Sequence, residues 1–213
     1  RVKTCGRALK HTVHLDKVKA EQFVLPIGKK KTHVIGINPS QITTEDLAVS
    51  LQPAANYVPT DGYSKVAAVE RHHNTGKIGV AVAKGYGIRN GAVASSVSHD
   101  SHNIIVIGDN DRDMALAVDE IIRTQGGYTV VENGEVFETL PLPIMGLMSD
   151  AGFESVNETL GRMIKKAHEM GVPADIEPFI TLSFLALPVI PELRITPRGL
   201  CLLTAKGPEI LQE

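Results

Sequence analysis

Six consecutive residues carry most of the chemistry that this sequence could perform. Residues 98–103 read Ser-His-Asp-Ser-His-Asn, which places two imidazoles, a carboxylate, two hydroxyls and a carboxamide together. Histidine is the side chain best suited to proton handling near neutral pH, so the segment favours a role in facing a substrate or completing an active site. A hydrogen-bonded polar corner without chemistry is the alternative. We call residues 98–103 the polar knot.

The spacing within the polar knot argues against metal binding. Side chains three residues apart on a regular strand point to opposite faces, so only a turn could bring His99 and His102 to one metal ion. The sequence contains none of the zinc-site patterns such as paired Cys-x-x-Cys or His-Glu-x-x-His. We therefore expect no metal site in this chain. A small metallohydrolase that uses His72, His73, His99 and His102 is a weaker alternative.

A second polar segment, residues 70–76, reads Glu-Arg-His-His-Asn-Thr-Gly, and we call it the 70–76 loop. An arginine and two histidines at the end of a strand could bind an anion or a planar base. A salt bridge with solvated histidines explains the same residues about equally well. The residues alone leave both interpretations open.

Buried strands must position the two polar segments. Ala92–Val97 and Ile104–Ile107 flank the polar knot and are short, apolar and rich in β-branched residues, which is typical of central strands. Lys65–Arg71 and Lys77–Lys84 alternate in polarity and predict a hairpin that encloses the 70–76 loop. Because adjacent strand ends meet at one edge of a sheet, we expect the two polar segments to lie close together.

The whole chain predicts an α+β or mixed α/β fold, with a layered mixed sheet whose hairpins pack against two or three helices. We expect residues 1–20 to be a lead-in or linker, residues 21–205 to form the domain, and residues 206–213 to be a tail. The other predicted elements are strands at Phe23–Ile27 and His33–Ile37, a helix or strand at Thr43–Ser50, a helix capped by Asp109 or Asn110 and stopped by Gly126-Gly127, a hairpin around Asn133-Gly134, helices at Ser155–Met170 and Phe179–Ile190, and a strand pair within Leu193–Leu203.

Composition and charge exclude several classes of protein. The chain has 213 residues, of which 43% are hydrophobic, and a formal net charge of −2. This is globular composition without the basic excess that attracts nucleic acid or a membrane surface. Cys5 and Cys201 lie at opposite ends, which excludes a disulfide framework and favours a reducing cytoplasm. No apolar run approaches the length of a membrane span.

Several longer motifs resemble one enzyme family. Val69–Gly76, Lys84–Gly87 and Ala94–Asn103 are similar to the C-terminal region of bacterial adenine deaminase, which belongs to the amidohydrolase superfamily. Leu140–Asp150 and Pro178–Pro191 continue the likeness, which follows the same order along most of the chain.

The resemblance implies part of a hydrolase of purine metabolism. Members of the family hydrolyse adenine to hypoxanthine and ammonia with a divalent metal, manganese or iron, in a (β/α)₈ barrel. The His-x-His motif that binds metal in that barrel does not occur here. The resemblance therefore implies a C-terminal domain, inactive by itself, that packs on a barrel absent from this chain and presents the polar knot to its mouth.

The resemblance also implies roles for particular residues. Completion of the active site is assigned to His99, Asp100 and His102. Contact with the purine is assigned to four residues near the strand ends, namely Arg71, His72, His73 and Ser98.

One function of another class remains open. A stand-alone module that binds purines or a partner protein without catalysis would fit the same residues, and a genuine start codon near Arg1 would favour it. With the enzyme interpretation, we expect adenine and the barrel of the same enzyme as partners, no nucleic acid and no membrane. Assembly into a homo-oligomer is left open.

Overall fold

An eight-stranded sheet organises the part of the chain that the computed structural model describes, residues 9–60 and 62–211. Its strands are β1 (Thr32–Ile37), β2 (Thr44–Val49), β3 (Tyr63–Val69), β4 (Ile78–Lys84), β5 (Gly91–Ser95), β6 (Ile104–Gly108), β7 (Gly127–Glu132) and β8 (Glu135–Pro141). The spatial order is β2-β1-β4-β3-β6-β5-β7-β8. β1 and β4 are parallel, and the other neighbours are antiparallel.

The strands that flank the polar knot are central, as predicted. β5 and β6 pair with each other and are buried along their whole length. On β6, Ile105 and Ile107 face one apolar core, whereas Ile104 and Val106 face another on the opposite side of the sheet. A strand covered on both faces needs apolar side chains at every position, which explains the continuous run Ile104–Ile107.

Helices and a smaller sheet cover the two faces of the large sheet. On one side lie α1 (Asp111–Thr124) and the buried residues Val13 and Val18 from the N-terminal segment. On the other lie α2 (Phe153–Glu169), α3 (Pro178–Leu185) and a three-stranded sheet of β9 (Leu193–Thr196), β10 (Gly199–Thr204) and β11 (Gly207–Ile210). This layered arrangement confirms the predicted fold class. Among the described residues, no helix is both long and apolar enough to cross a membrane.

Local signals placed α1 and the β7–β8 hairpin correctly. The Asn110 side chain accepts a hydrogen bond from the Asp113 N–H (2.9 Å) and caps α1. The helix ends at Gln125, which adopts a left-handed conformation one residue before the glycine pair. Asn133 and Gly134 both have positive φ (52° and 81°), as the tight turn between β7 and β8 requires.

Two elements differ from the sequence-based expectation, and a third decides between two alternatives. The predicted strand Phe23–Ile27 is wrong: Ala20–Phe23 is a short 3₁₀ helix, and Ile27 makes only an isolated bridge to Ala54. Pro26 has no N–H to donate to a ladder, which disfavours a strand here. Thr44–Val49 is a strand, which decides between the two alternatives. β11 lies within the segment expected to be a tail and pairs with β10.

The last helix is shorter than predicted. α3 ends at Leu185, well before Pro188, rather than continuing to Ile190. The residue that precedes a proline is disfavoured in the helical conformation, so a helix ends before that residue. The segment Ala186–Pro191 is consequently free to leave the helix axis, and its first four residues line a cavity beside the polar knot.

Candidate functional site

The ends of β3 and β6 bring the two polar segments together. These strands are antiparallel neighbours with Val69 opposite Ile104, so the 70–76 loop begins beside the end of the polar knot. The Arg71 N–H donates to Asn103 Oδ1 (3.3 Å), and His72 Nε2 donates to the Ser101 carbonyl oxygen (2.7 Å). The 70–76 loop and the polar knot therefore form one surface, which we call the candidate site.

Arg71 lies beneath this surface as a buried cation, with 2% of its area exposed. Its guanidinium donates to the carbonyl oxygens of Thr12 (2.9 Å), Met145 (2.9 Å) and His102, and to the Thr12 hydroxyl (3.2 Å). Burial lowers the pKa of Arg71 to about 10. These contacts connect the polar knot to two segments that are distant in the sequence, so the side chain is committed to the backbone around the site.

Glu70 organises the 70–76 loop. Its carboxylate accepts hydrogen bonds from the backbone N–H groups of His72 (2.5 Å), His73 (3.0 Å) and Thr75 (3.1 Å) and from the Thr75 hydroxyl (3.0 Å). Burial raises the pKa of this carboxyl, but the four donors outweigh burial and lower the pKa to about 2. The loop is thus folded around one ionised side chain.

Glu70→Gln is expected to destabilise the protein at pH 7 by about 1–2 kcal/mol, because the amide cannot accept as many hydrogen bonds as the carboxylate. The folded-state pKa of about 2 is below the ordinary value of 4.5. Ionised Glu70 therefore contributes stability above about pH 4.5, and this contribution is lost as the pH falls towards 2. Urea unfolding between pH 7 and 2.5 should show that the free energy of unfolding falls less steeply towards acid pH in the variant than in the wild type.

The exposed Glu158 on α2 provides the matched control. Glu158→Gln should leave the acid limb of the stability profile unchanged. Parallel profiles for the wild type and Glu70→Gln would show that the hydrogen bonds to Glu70 do not stabilise the folded state.

His99 and His102 form the half-buried face of the candidate site. Their ring centroids are 5.9 Å apart, and the His99 ring packs on Phe184 with a centroid distance of 5.0 Å. The Ser98 N–H donates to His102 Nδ1 (3.4 Å), which places the ring proton on Nε2. Burial, followed by the nearby His99 and Arg71, lowers the pKa of His102. His102 is therefore a neutral imidazole at pH 7.

The remaining candidate residues lie at different depths. The side chains of Asp100 and His73 are 84% and 81% exposed, and Asp100 Oδ1 lies 3.8 Å from His99 Nδ1. Ser98 is fully buried, and in the described part of the chain its hydroxyl has no hydrogen-bond partner; the same is true of Ser183. Asp100 and His73 are thus at the surface of the candidate site, whereas Ser98 and Arg71 lie under it.

A cavity of about 580 Å³ opens beside the candidate site. Both polar segments contribute to its rim, through His73 and Asp100 among others. Its opposite wall is largely apolar and is formed by the segment after α3 and by the three-stranded sheet, including Pro188, Ile195 and Ile210. Sequence reasoning missed this wall because nothing in the last strands distinguishes them from ordinary core strands.

A second buried arginine holds the apolar wall in place. Arg194 on β9 is fully buried, and its guanidinium donates to the carbonyl oxygens of Ile190 (2.8 Å), Pro191 (2.6 Å), Ile42 (2.8 Å) and Phe184 (3.2 Å). Burial lowers its pKa to about 10. The irregular segment between α3 and β9 thereby acquires a defined conformation next to the cavity.

The candidate site does not have the ligands of a metal centre. Within residues 9–60 and 62–211, no three His, Cys, Asp or Glu side chains converge so that they could hold a metal ion. The ring centroids of His72 and His73 are 6.3 Å apart, and the His72 Nε2 is used by a backbone carbonyl. The four-histidine metallohydrolase is therefore not supported by this arrangement.

Comparison with known proteins defines the family. Residues 41–206 match the family described as adenine deaminase C-terminal domain, and the chain belongs to this family. An adenine deaminase of Desulfitobacterium hafniense (strain Y51) is 51% identical over 201 residues, which cover 93% of this chain and 35% of that protein. An adenine deaminase of Nitratidesulfovibrio vulgaris (strain DP4) is 48% identical over 196 residues, with 91% and 34% covered. The chain thus spans about a third of the length of these relatives.

Proposed function

We propose that this chain is the C-terminal part of a cytoplasmic adenine deaminase, in which it packs on an amidohydrolase barrel and helps to close the active site. The observation that carries the proposal is the 51% identity, across 93% of the chain, with a protein named adenine deaminase. The complete enzyme would convert adenine and water to hypoxanthine and ammonia.

The metal of such an enzyme would be held outside this chain. Resemblance to the amidohydrolase superfamily implies a divalent manganese or iron ion, which would activate the attacking water. The described residues do not provide a set of ligands that fits it. The contribution proposed for this domain is therefore restricted to binding and orienting the purine and to excluding water from its surroundings.

His99, Asp100 and His102 are proposed to line the closed site. His102 Nδ1 already accepts from the Ser98 N–H, so the neutral ring would offer the purine its Nε2–H as a donor without burying a charge. His99 is held by Phe184 on one side and by its backbone N–H, which donates to the Ser183 carbonyl oxygen (3.0 Å). Asp100 is an exposed acceptor at the rim.

His72 and His73 are proposed to contact the purine from the 70–76 loop. Arg71 and Ser98 are buried, so we propose that they act on the substrate through the backbone that they position. Arg71 in particular fixes the carbonyl of His102, the residue next to the end of the polar knot.

His99→Ala in the full-length enzyme, with this chain as its C-terminal region, is expected to lower kcat/KM for adenine by about 10- to 100-fold, which corresponds to about 1.4–2.7 kcal/mol of lost transition-state stabilisation. The ring is half-buried and packs on Phe184, so its loss would expose this part of the candidate site to water. Adenine loss followed by ultraviolet absorbance measures the effect, and thermal unfolding reports whether the fold is intact.

His33 on β1 is the matched control, because it is a partly exposed histidine outside the candidate site and pairs with Asp46. His33→Ala should leave kcat/KM unchanged. Unchanged kinetics in His99→Ala would remove His99 from the proposed site. Adenine turnover by this chain alone, supplied with manganese or iron, would contradict the proposed division of labour between domain and barrel.

A further inference from the structure

Four large apolar side chains are exposed on neighbouring segments near the candidate site. Leu9, Met145, Met148 and Phe153 are 39%, 43%, 52% and 79% exposed. The Met145 N–H donates to the Leu9 carbonyl oxygen (2.6 Å), and Met148 belongs to the same turn through its bridge with Ile144. Phe153 follows shortly after, as the first residue of α2. We call these four residues the apolar patch.

The apolar patch is connected rigidly to the polar knot. The Arg71 guanidinium donates to the carbonyl oxygens of both Met145 (2.9 Å) and His102. Gly146 has a positive φ of 71°, and a side chain at this position would meet the Arg71 guanidinium. The turn that carries the apolar patch therefore lies directly on the arginine that holds the polar knot. A partner bound to one of these surfaces would also lie beside the other.

The composition of the apolar patch is that of an interface. Methionine and aromatic residues are enriched at protein interfaces, and contiguous exposed apolar surface marks interaction sites in soluble proteins. The neighbouring Lys10 Nζ and Asp150 carboxylate form an ion pair (2.5 Å), so charged groups lie at its border. An apolar centre with a charged border is the usual anatomy of a protein–protein contact.

We propose that the apolar patch is the surface on which the upstream region of the full-length enzyme docks. The matched family is described as a C-terminal domain, and the match covers only 35% of the Desulfitobacterium hafniense relative. Most of that relative consequently lies N-terminal to the matched region. The apolar patch adjoins the polar knot through Arg71, and the polar knot is the part of this chain proposed to face that upstream region. The inference rests on the proposed function and adds to it the contact surface.

Cysteine labelling in the full-length enzyme tests this inference. Met148→Cys and Phe153→Cys introduce thiols within the apolar patch, and Val58→Cys, at a position that is 72% exposed outside it, is the matched control. Reaction with a maleimide, quantified peptide by peptide by mass spectrometry, is expected to be at least tenfold slower at positions 148 and 153 than at position 58. A photoreactive side chain at position 148 should cross-link to a peptide upstream of residue 1.

Equal labelling rates at positions 148, 153 and 58 would overturn the inference. A cross-link to residues 1–8, or protection that appears only as the protein concentration rises, would also overturn it, by assigning the cover to the N-terminal residues or to a second copy. The kinetics of His99→Ala separate this result from the proposed function. If the apolar patch is labelled freely but His99→Ala impairs turnover, the docking inference fails and the proposed role of His99 stands. If the patch is protected but His99→Ala has normal turnover, the role of His99 fails and the docking inference stands.

Discussion

Arg71→Met is expected to lower the free energy of unfolding by about 3–5 kcal/mol. The change removes the donor for three backbone carbonyl oxygens, those of Thr12, His102 and Met145, in a place that water does not reach. Each buried acceptor left without a donor costs about 1–3 kcal/mol. Part of the total cost for the three carbonyl oxygens is offset because the variant no longer buries a cation. Urea denaturation at pH 7 measures the difference.

Arg198 provides a matched control because it is exposed, in the turn between β9 and β10. Arg198→Met should change the free energy of unfolding by no more than about 0.5 kcal/mol. If Arg71→Met also falls within about 1 kcal/mol of the wild type, the carbonyl groups have found other donors. In that case Arg71 would not be the residue that holds the polar knot against the rest of the domain.

Gly79→Ala is expected to destabilise the protein by about 3 kcal/mol or more. Gly79 lies on β4 where the three-stranded sheet crosses the large sheet, and a Cβ atom there would overlap the Thr196 carbonyl oxygen and lie 2.7 Å from the Gly199 nitrogen. Both obstacles are backbone atoms, which cannot move aside as a side chain can. Overpacking of this kind costs about 1–3 kcal/mol even where side chains can adjust.

The same substitution at Gly161 should change the stability of the protein in the opposite direction. Gly161 lies within α2, and a Cβ atom there would have nothing within 4 Å. Gly161→Ala should therefore stabilise the protein by about 0.5–1 kcal/mol through helix propensity. Thermal unfolding of the two variants compares them directly. A Gly79→Ala variant as stable as the wild type would mean that the three-stranded sheet does not pack on β4 as described.

Gly79→Ala also bears on the candidate site, since the three-stranded sheet forms one wall of the adjacent cavity. A displaced sheet would change the cavity while leaving the polar knot on the large sheet. Arg71→Met and Gly79→Ala thus disturb different sides of the same region: the first acts on the polar segments, and the second acts on the apolar wall.

The two polar segments could be recognised in the sequence, but the depth at which each of their side chains lies could not. Two polar segments between apolar strands can be read directly from the sequence. The expectation that they lie close together is confirmed, because β3 and β6 are paired neighbours. The sequence does not distinguish a surface residue such as Asp100 from a buried one such as Arg71. That difference depends on Thr12 and Met145, which are 59 and 74 residues away from Arg71.

The sequence by itself determined the elements whose signals act over a few residues. Asn110 caps α1, Asn133-Gly134 turns the β7–β8 hairpin, and the continuous apolar run of β6 requires cover on both faces. Each of these depends on backbone conformation or periodicity within a short window, so neighbouring residues are sufficient to specify it.

Only the tertiary structure decided which distant segments meet. It placed β1 parallel to β4, set the three-stranded sheet against Gly79, and put one buried arginine under both the polar knot and the apolar patch. Such contacts are selected by the packing of the whole chain, in which the free energy of burying one segment depends on what the others already cover. No local pattern in the sequence carries that information, because the partners of each group are supplied by residues far along the chain.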